Sequence, residues 1–325
     1  MSEMIAFPSI ESLRHVVKGT EIRCKINNLP LPKVDYIGTV KIHGCNSGIA
    51  FTTNGQIIPQ SRNRVLSVGD DNFGFAAFVE KNKDVLKTIA PKGGDFTFYG
   101  EWCGRGVQEK VAVSQLNRHF VIFTMFHNGI MYPISKVIDV NEFDIGVLNR
   151  SGIYFIHQIP TYNITIDFSR PEDSIEQLTD WTLEIERECP WGKYHGVSGV
   201  GEGLVLAPVD SSLPFEMWFK CKGLEHKKGA KAPKVEVAPE VMQTQRELAE
   251  KLLPDWRLEQ GISVLRERGL DVEPKNIGVY LQWISEDILK EEQDTMAANG
   301  TDWKKINPIV LQRARQYILE LCKKF

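Results

Sequence analysis

The sequence predicts an α+β body followed by an all-helical tail, and three observations carry that expectation. Short runs rich in aromatic and β-branched residues, punctuated by glycine and asparagine, recur as far as Cys221 and mix with helix-period segments. A stretch from Glu225 to Pro239 then interrupts the pattern with Lys227, Lys228, Lys231 and Lys234 among Gly229, Pro233 and Pro239, and reads as a basic linker. Beyond it the β signals vanish and helix-period segments alone remain. The division leaves a mixed body of roughly 230 residues and a shorter tail.

The elements follow in order. Ser9 to Lys18 reads as a short helix, with Ser9 as its cap and Ile10, Leu13, Val16 and Val17 on one face. From Val34 to Ile58 the chain shows β-type runs broken near Gly55. Phe73 to Ile89 reads as a helix, with Phe75, Phe78, Val79, Val85 and Leu86 as core candidates. Phe96–Trp102 and Phe120–Phe126 are aromatic and β-branched, as buried strands are, and Asn128-Gly129 after the second is a hairpin turn. Tyr154–His157 is a further short strand, and Pro171–Glu188 a helix ended by Pro190. Gly201–Ala207 and Met217–Cys221 are the last strands. In the tail, helices are expected near Glu240–Leu253, Trp256–Arg268, Ile277–Glu291 and Ile306–Lys323.

Composition bounds the function. The chain has 325 residues, room for two domains, with 42% hydrophobic and 25% charged residues, as in ordinary soluble proteins. A net charge of −3 does not advertise a polyanion partner, so any basic surface must be local. Six cysteines, with no CxxC pair, suit reduced intracellular thiols better than a disulfide framework. The N-terminus lacks the basic-then-apolar layout of a signal peptide, and no apolar run is long enough to span a bilayer. The expectation is a cytoplasmic protein that does not engage a membrane.

Four stretches could carry chemistry. In Thr39–Phe51, Lys41 follows a β-type run and precedes His43, Gly44, Asn46 and Gly48; a lysine held in such a turn is accessible to a small molecule. It is a candidate covalent nucleophile, although most lysines are solvated surface charges. In Phe98–Gln108, Glu101 ends an apolar strand before Gly104-Arg105-Gly106, where it could accept from a sugar hydroxyl or be an exposed acid. In Val200–Pro208, Glu202 lies between two glycines that permit close approach, and its carboxylate suits Mg²⁺; it could also be a turn acid. In Trp218–Gly223, Lys220 and Lys222 share one strand face, which favours an anion such as a polyphosphate between them over a solvated strand edge. The remaining histidines show no zinc spacing and read as packed or surface residues. Cys45, Cys103 and Cys221 read as small apolar fillers. The glycine-rich Gly196–Gly203 lacks the Lys-Ser/Thr of a P-loop and the strand-then-helix setting of a dinucleotide site.

The order of these pieces resembles the motif series of the covalent nucleotidyltransferases, and most closely the RNA ligase 2 family. Lys41-Ile42-His43-Gly44-Cys45-Asn46 is similar to that family's KIHGTN-type first motif. Tyr99 to Gln108 resembles its FGE-aromatic run, Glu202 to Pro208 its EGYVLKP, and Phe219-Lys220-Cys221-Lys222 its IKCK. Ser61-Arg62-Asn63 resembles its arginine motif, and Phe120–Phe123 the strand whose aromatic stacks on adenine. The resemblance covers nearly the whole chain, lysine-rich linker and helical tail included. The chain departs from the family at three positions: Thr39 stands for an arginine, Val40 for a glutamate, and Thr124 for an aspartate, all of which bear on base contacts and nucleotide preference.

The resemblance implies an antiparallel-sheet adenylyltransferase domain over residues 1–235 and a helical RNA-docking domain over 236–325. It implies ATP as AMP donor, Mg²⁺ or Mn²⁺, and a monomer that seals RNA 5′-phosphate and 3′-hydroxyl ends, at nicks in duplex RNA. Lys41 would take AMP from ATP, with Lys220 and Lys222 as catalytic partners. Val40, Ile42, His43, Asn46 and Arg62 would contact the nucleotide or the RNA end. Glu101 and Glu202 would hold ribose or metal, Glu202 being the metal ligand, and Phe123 would stack on the base. Arg246, Lys251, Arg257, Arg266 and Arg268 are the tail's candidates for sequence-independent phosphate contacts. Two other readings stay open: a capping guanylyltransferase or DNA ligase, both of which usually append a β-barrel, and a catalytically inactive ATP- or RNA-binding module.

Overall fold

Strand-forming runs with one or both faces apolar must bury them, and here they do so in two sheets with helices around them. The computed structural model describes residues 4–90, 95–222, 243–298 and 302–323. They fall into two compact units, Met1–Gly223 and Leu224–Phe325.

The first unit begins with β1 (Glu11–Ser12), α1 (Leu13–Ile26), β2 (Lys33–Val40), β3 (Cys45–Phe51) and β4 (Ile57–Ser61). Then come α2 (Phe75–Lys81), α3 (Lys83–Thr88), β5 (Phe96–Cys103), β6 (His119–His127) and β7 (Ile130–Pro133). After α4 (Ile134–Val137), α5 (Ile145–Arg150), β8 (Ile153–Phe155) and β9 (Tyr162–Asp167) follow α6 (Ile175–Arg187), α7 (Pro190–Tyr194), β10 (Gly203–Pro208) and β11 (Phe219–Lys222). One sheet has the order β1-β11-β10-β2-β9, antiparallel except for the β1–β11 pair. The other has the order β4-β3-β5-β6-β7, antiparallel, with β8 joining β6 in parallel. β2 alternates buried and exposed positions, as a half-buried strand does, whereas β5 is buried on nearly every residue. The apolar side chains of both sheets meet in one continuous core.

Several elements differ from expectation, each for a physical reason. The first helix starts at Leu13 rather than Ser9, because Glu11 and Ser12 pair with Phe219 and Lys220 instead; Ser12, not Ser9, precedes it, and it runs on to Ile26. The expected helix from Phe73 is two helices, divided at Asn82, whose backbone and side-chain amides both donate to the Phe78 carbonyl. The strand at Tyr154 gives way at Ile156 to a 3₁₀ turn. Residues 171–174 form a 3₁₀ turn before α6, and Pro190 starts α7, where its missing N–H costs nothing, rather than merely ending α6. β9 was not anticipated. Asn128 and Gly129 both have positive φ, as a two-residue hairpin needs, and join β6 to β7.

In the second unit α8 (Gln243–Leu252), α9 (Asp255–Glu267), α10 (Ile277–Ala298) and α11 (Trp303–Cys322) pack around Leu258, Ile262, Tyr280, Ile284, Val310 and Ile318. No strand occurs among its described residues. The basic linker Glu225–Pro239 lies outside the described residues, as does the side chain of Arg246. Arg257 is not a surface cation: it is fully buried, with Asp287 at 3.1 Å and Glu292 at 2.8 Å, and it also donates to the Leu252 carbonyl. Lys251, Arg266 and Arg268 are exposed. No helix among the described residues is long and apolar enough to cross a membrane.

Candidate active site

The site is assembled by strand order. β11, β10 and β2 are neighbours, and their ends at one edge carry Lys222, the Glu202-Gly203 pair and Lys41. Lys41 follows the last residue of β2, and its N–H donates to the Gly203 carbonyl at 2.7 Å, so the nucleophile candidate is pinned beside Glu202 although 160 residues separate them in sequence. Gly203 can only be glycine: its φ is +140°, and a Cβ there would stand 2.0 Å from the Cys221 carbonyl oxygen. That closeness brings β11 in and sets Lys222 opposite Gly203.

Three of the expected residues converge on the carboxylate of a fourth. Glu202 is 3% exposed, and its Oε2 accepts from Lys41 Nζ at 2.7 Å and lies 3.2 Å from His43 Nδ1. Its Oε1 pairs with Lys222 Nζ at 2.9 Å. Burial alone would raise this carboxyl, but Lys222, Lys41 and His43 together hold it well below the usual carboxylate range. Glu202 is thus neither a solvated turn acid nor, in this state, an unengaged metal ligand. It is the counter-ion that lets two lysines and a histidine share one small volume.

The chain passes from the site directly into the second sheet. Residues 41–44 carry the chain from β2 in one sheet to β3 in the other, which places Lys41 and His43 at the junction. Gly44 makes that passage possible, since a Cβ would meet the Trp102 carbonyl at 2.4 Å and Glu101 Cγ at 2.9 Å. Asn46 on β3 faces Glu101 on β5. Glu101 therefore sits inside its strand, which runs on to Cys103, rather than at the end of it. Asn46 is buried, and its Oδ1 has no protein partner. Arg62 follows directly on β4, whose Ser61 pairs with Ser47, so it neighbours Asn46 across the strands; its Nε is likewise buried without a partner. Phe123 is the extra residue of a β-bulge: Tyr99 pairs with Thr124 and Gly100 with Ile122, which leaves Phe123 without a cross-strand partner.

Three expected contributors are placed less directly. The side chains of Val40 and Ile42 belong to the core, so what they can offer a ligand is main chain. Lys220 lies on β11 two residues before Lys222, on the same strand face, opposite Val205. Among the described residues no group of three or more His, Cys, Asp or Glu side chains is placed to hold a metal ion.

The loop before Glu202 is anchored from outside the site by residues that sequence reading passed over. Gly199 and Val200 receive the N–H groups of Cys189 and Ala112, and the Gln115 amide donates to Ser198. Trp191 in α7 is fully buried and donates to His119 Nε2 at 2.9 Å. Burial drives the His119 imidazole down to about 4, with the Asn117 carbonyl bond opposing and His195 assisting. It is a neutral, structural histidine, and no local sequence signal ties it to residue 202.

Among known proteins, the RNA ligase family model matches residues 34–222, which span all the site residues named above. No curated protein matches the chain. Solved structures of a Naegleria gruberi RNA ligase are similar to it: the complex with PPi has 16% identity and a TM-score of 0.45, covering 68% of this chain and 57% of that one. A mutant of that ligase with ATP and Mn has 16% identity and a TM-score of 0.46, covering 68% and 57%. The chain therefore spans little more than half the length of those proteins.

Proposed function

The chain belongs to the RNA ligase family, and from that premise we propose that it is an ATP-dependent ligase that joins RNA 5′-phosphate and 3′-hydroxyl ends through lysyl-AMP and RNA-adenylate intermediates. The observation that carries this reading is the convergence of Lys41, His43 and Lys222 on the buried Glu202 carboxylate. A surface lysine has no need of a second ammonium on the same buried carboxylate, whereas a lysine that attacks a phosphate is served by a neighbouring cation.

Lys41 Nζ attacks the α-phosphate of ATP, and pyrophosphate leaves. AMP then passes to an RNA 5′-phosphate, and a 3′-hydroxyl attacks that adenylate and expels AMP. An ammonium cannot attack, so Lys41 must first lose its proton; Glu202 Oε2, 2.7 Å away, holds the amine in place, and His43, 3.2 Å from the same oxygen, is the group placed to take part. Lys222 neutralises phosphate oxygens as charge develops in the transition state, and Lys220 on the same strand face adds to that charge. Asn46 Oδ1 and Arg62 Nε are unpartnered polar atoms suited to sugar and phosphate. Glu101 faces Asn46 across β3 and β5, where it can hold ribose, and Phe123 offers its ring to the base. Val40 and Ile42 contribute main-chain groups.

The donor set fits Mg²⁺ or Mn²⁺ in a restricted way. One buried carboxylate, Glu202, is too little for an all-protein site, but it suffices for an ion that arrives on the nucleotide's phosphates. Such an ion, bound, would supply positive charge to the phosphates and compete with Lys41 for Glu202.

The substrate end of the proposal is a nick in duplex RNA, docked by the helical unit through Lys251, Arg266 and Arg268. Incubation with ATP labelled at the α-phosphate tests the chemistry. A covalent AMP adduct is expected, absent in Lys41→Ala. Label from GTP alone would indicate capping chemistry, and no label from either nucleotide a binding module.

A further inference from the structure

The first residues of the chain reach both sheets. The Ile5 carbonyl accepts from Gln60 Nε2 of β4 at 2.8 Å and from Tyr99 Oη of β5 at 2.7 Å. Six residues later Glu11 and Ser12 pair with Phe219 and Lys220, at the edge of the other sheet. Between these anchors Phe7 is buried and touches three aromatic rings. It lies 5.1 Å from Tyr99, 5.4 Å from Phe123 at an interplanar angle of 66°, and 5.5 Å from Phe215 at 84°. Phe215 stacks on Trp218, directly before the strand that carries Lys220 and Lys222.

Phe123 needs such a neighbour. As the extra residue of a bulge it has no cross-strand partner to fix its ring, yet a ring that stacks on a base must present one face in one orientation. An edge contact from a second, buried ring holds it without covering both faces, because aromatic pairs prefer the edge-to-face arrangement seen here. We propose that the N-terminal segment 5–12 forms the outer wall of the base slot and that Phe7 is a positioning residue that locks Phe123 for stacking on the purine. The inference rests on the reading of Phe123 as the base-stacking residue. It assigns a nucleotide-positioning task to a part of the chain that precedes every motif.

The test compares full-length Phe7→Ala, Phe7→Leu and Phe123→Ala with the parent chain, by single-turnover labelling from α-labelled ATP over a range of concentrations. Loss of one aromatic pair corresponds to a rise of about tenfold in the half-saturating ATP concentration for Phe7→Ala. The labelling rate at saturation should stay within about twofold of the parent, since the pair orients the base and leaves the reacting atoms untouched. Inhibition by inorganic tripolyphosphate, which has no base, should be the same in both chains; a general loosening of the fold would change it as well. Should Phe7→Ala not fold, Phe7→Leu decides, because it keeps the apolar bulk without the ring quadrupole: a rise of about threefold supports the proposal, and the parent's ATP dependence overturns it. If Phe123→Ala weakens ATP use while Phe7→Ala does not, the role of Phe7 is wrong and the base slot stands. If Phe123→Ala has no effect, the slot itself is misplaced and the proposal goes with it. A fall in the half-saturating concentration for Phe7→Ala would show that Phe7 obstructs the slot, and that too overturns the proposal.

Discussion

A buried glutamate surrounded by two lysines and a histidine sets the electrostatics of the site. Removing the charge in Glu202→Gln leaves Lys41 and Lys222 near each other without their counter-ion. Because both lysines keep some solvent contact, the expected cost is at the low end for a broken buried pair, about 1–3 kcal/mol by urea unfolding at pH 7. The sign with pH follows from the depressed carboxyl. Glu202 contributes stability above the ordinary glutamate value of about 4.3, and that contribution is lost as pH falls through its lower folded value, so the variant should respond less to strong acid than the parent. His119 works over a higher range. It is neutral when folded, with a value near 4 against 6.5 in a free histidine, so the unfolded chain binds the extra proton first as pH drops. Stability from this one group is complete above pH 6.5 and should fall by about 3 kcal/mol on the way down to pH 4. Thermal midpoints across that range should decline more steeply in the parent than in His119→Gln; equal slopes would assign the acid sensitivity elsewhere.

At the scale of elements, the site depends on three strand ends being adjacent rather than on any loop. Gly203→Ala should therefore disable it without touching a charged group. The added methyl would collide with the Cys221 carbonyl and force β10 and β11 apart, separating Lys222 from Glu202. Destabilisation of about 2–4 kcal/mol is expected for a side chain forced into such a position, with lysyl-AMP formation reduced by about 100-fold or more. Calorimetry and the labelling assay read the two effects separately, and a variant that melts early yet labels normally would contradict the strand-end account. The elements also show where sequence patterns were sufficient. β5, β6 and the Asn128-Gly129 hairpin were legible because aromatic runs and a two-residue turn are local signals. β9 alternates Tyr162, Ile164 and Ile166 with polar residues, a period-two signal that was present but overlooked. The late start of α1 was not legible, since Glu11 and Ser12 leave the helix for a strand partner more than 200 residues away.

For the whole molecule, the two units have separate hydrophobic cores. All the residues proposed for chemistry lie in the first, and exposed arginines and lysines suited to phosphates are available in the second. A chain ending at residue 222 should therefore still form the AMP adduct, while its sealing of nicked duplex RNA falls by about tenfold or more and loses part of its salt dependence, as expected when phosphate contacts are removed. Sealing rates measured over a salt series, next to adduct formation, check this; undiminished sealing would remove the helical unit from RNA docking. Arg257 shows why charge counting along the tail was a weak guide. Its sequence setting on a polar helix resembles that of Arg266 and Arg268, but it is enclosed with Asp287 and Glu292, where it fixes the packing of α9 against α10.

The α+β body and the helical tail could be read directly from the chain, and Lys41, His43, Glu202 and Lys222 could be picked out as candidates, because propensity, periodicity and motif order are properties of neighbouring residues. That Glu202 is a shared counter-ion, that Phe123 occupies a bulge, and that Phe7 lies against it emerge once the chain has folded. Those facts depend on strand order and register, which bring residues 41, 202 and 222 together and set residue 7 against residue 123, across separations that no local pattern encodes.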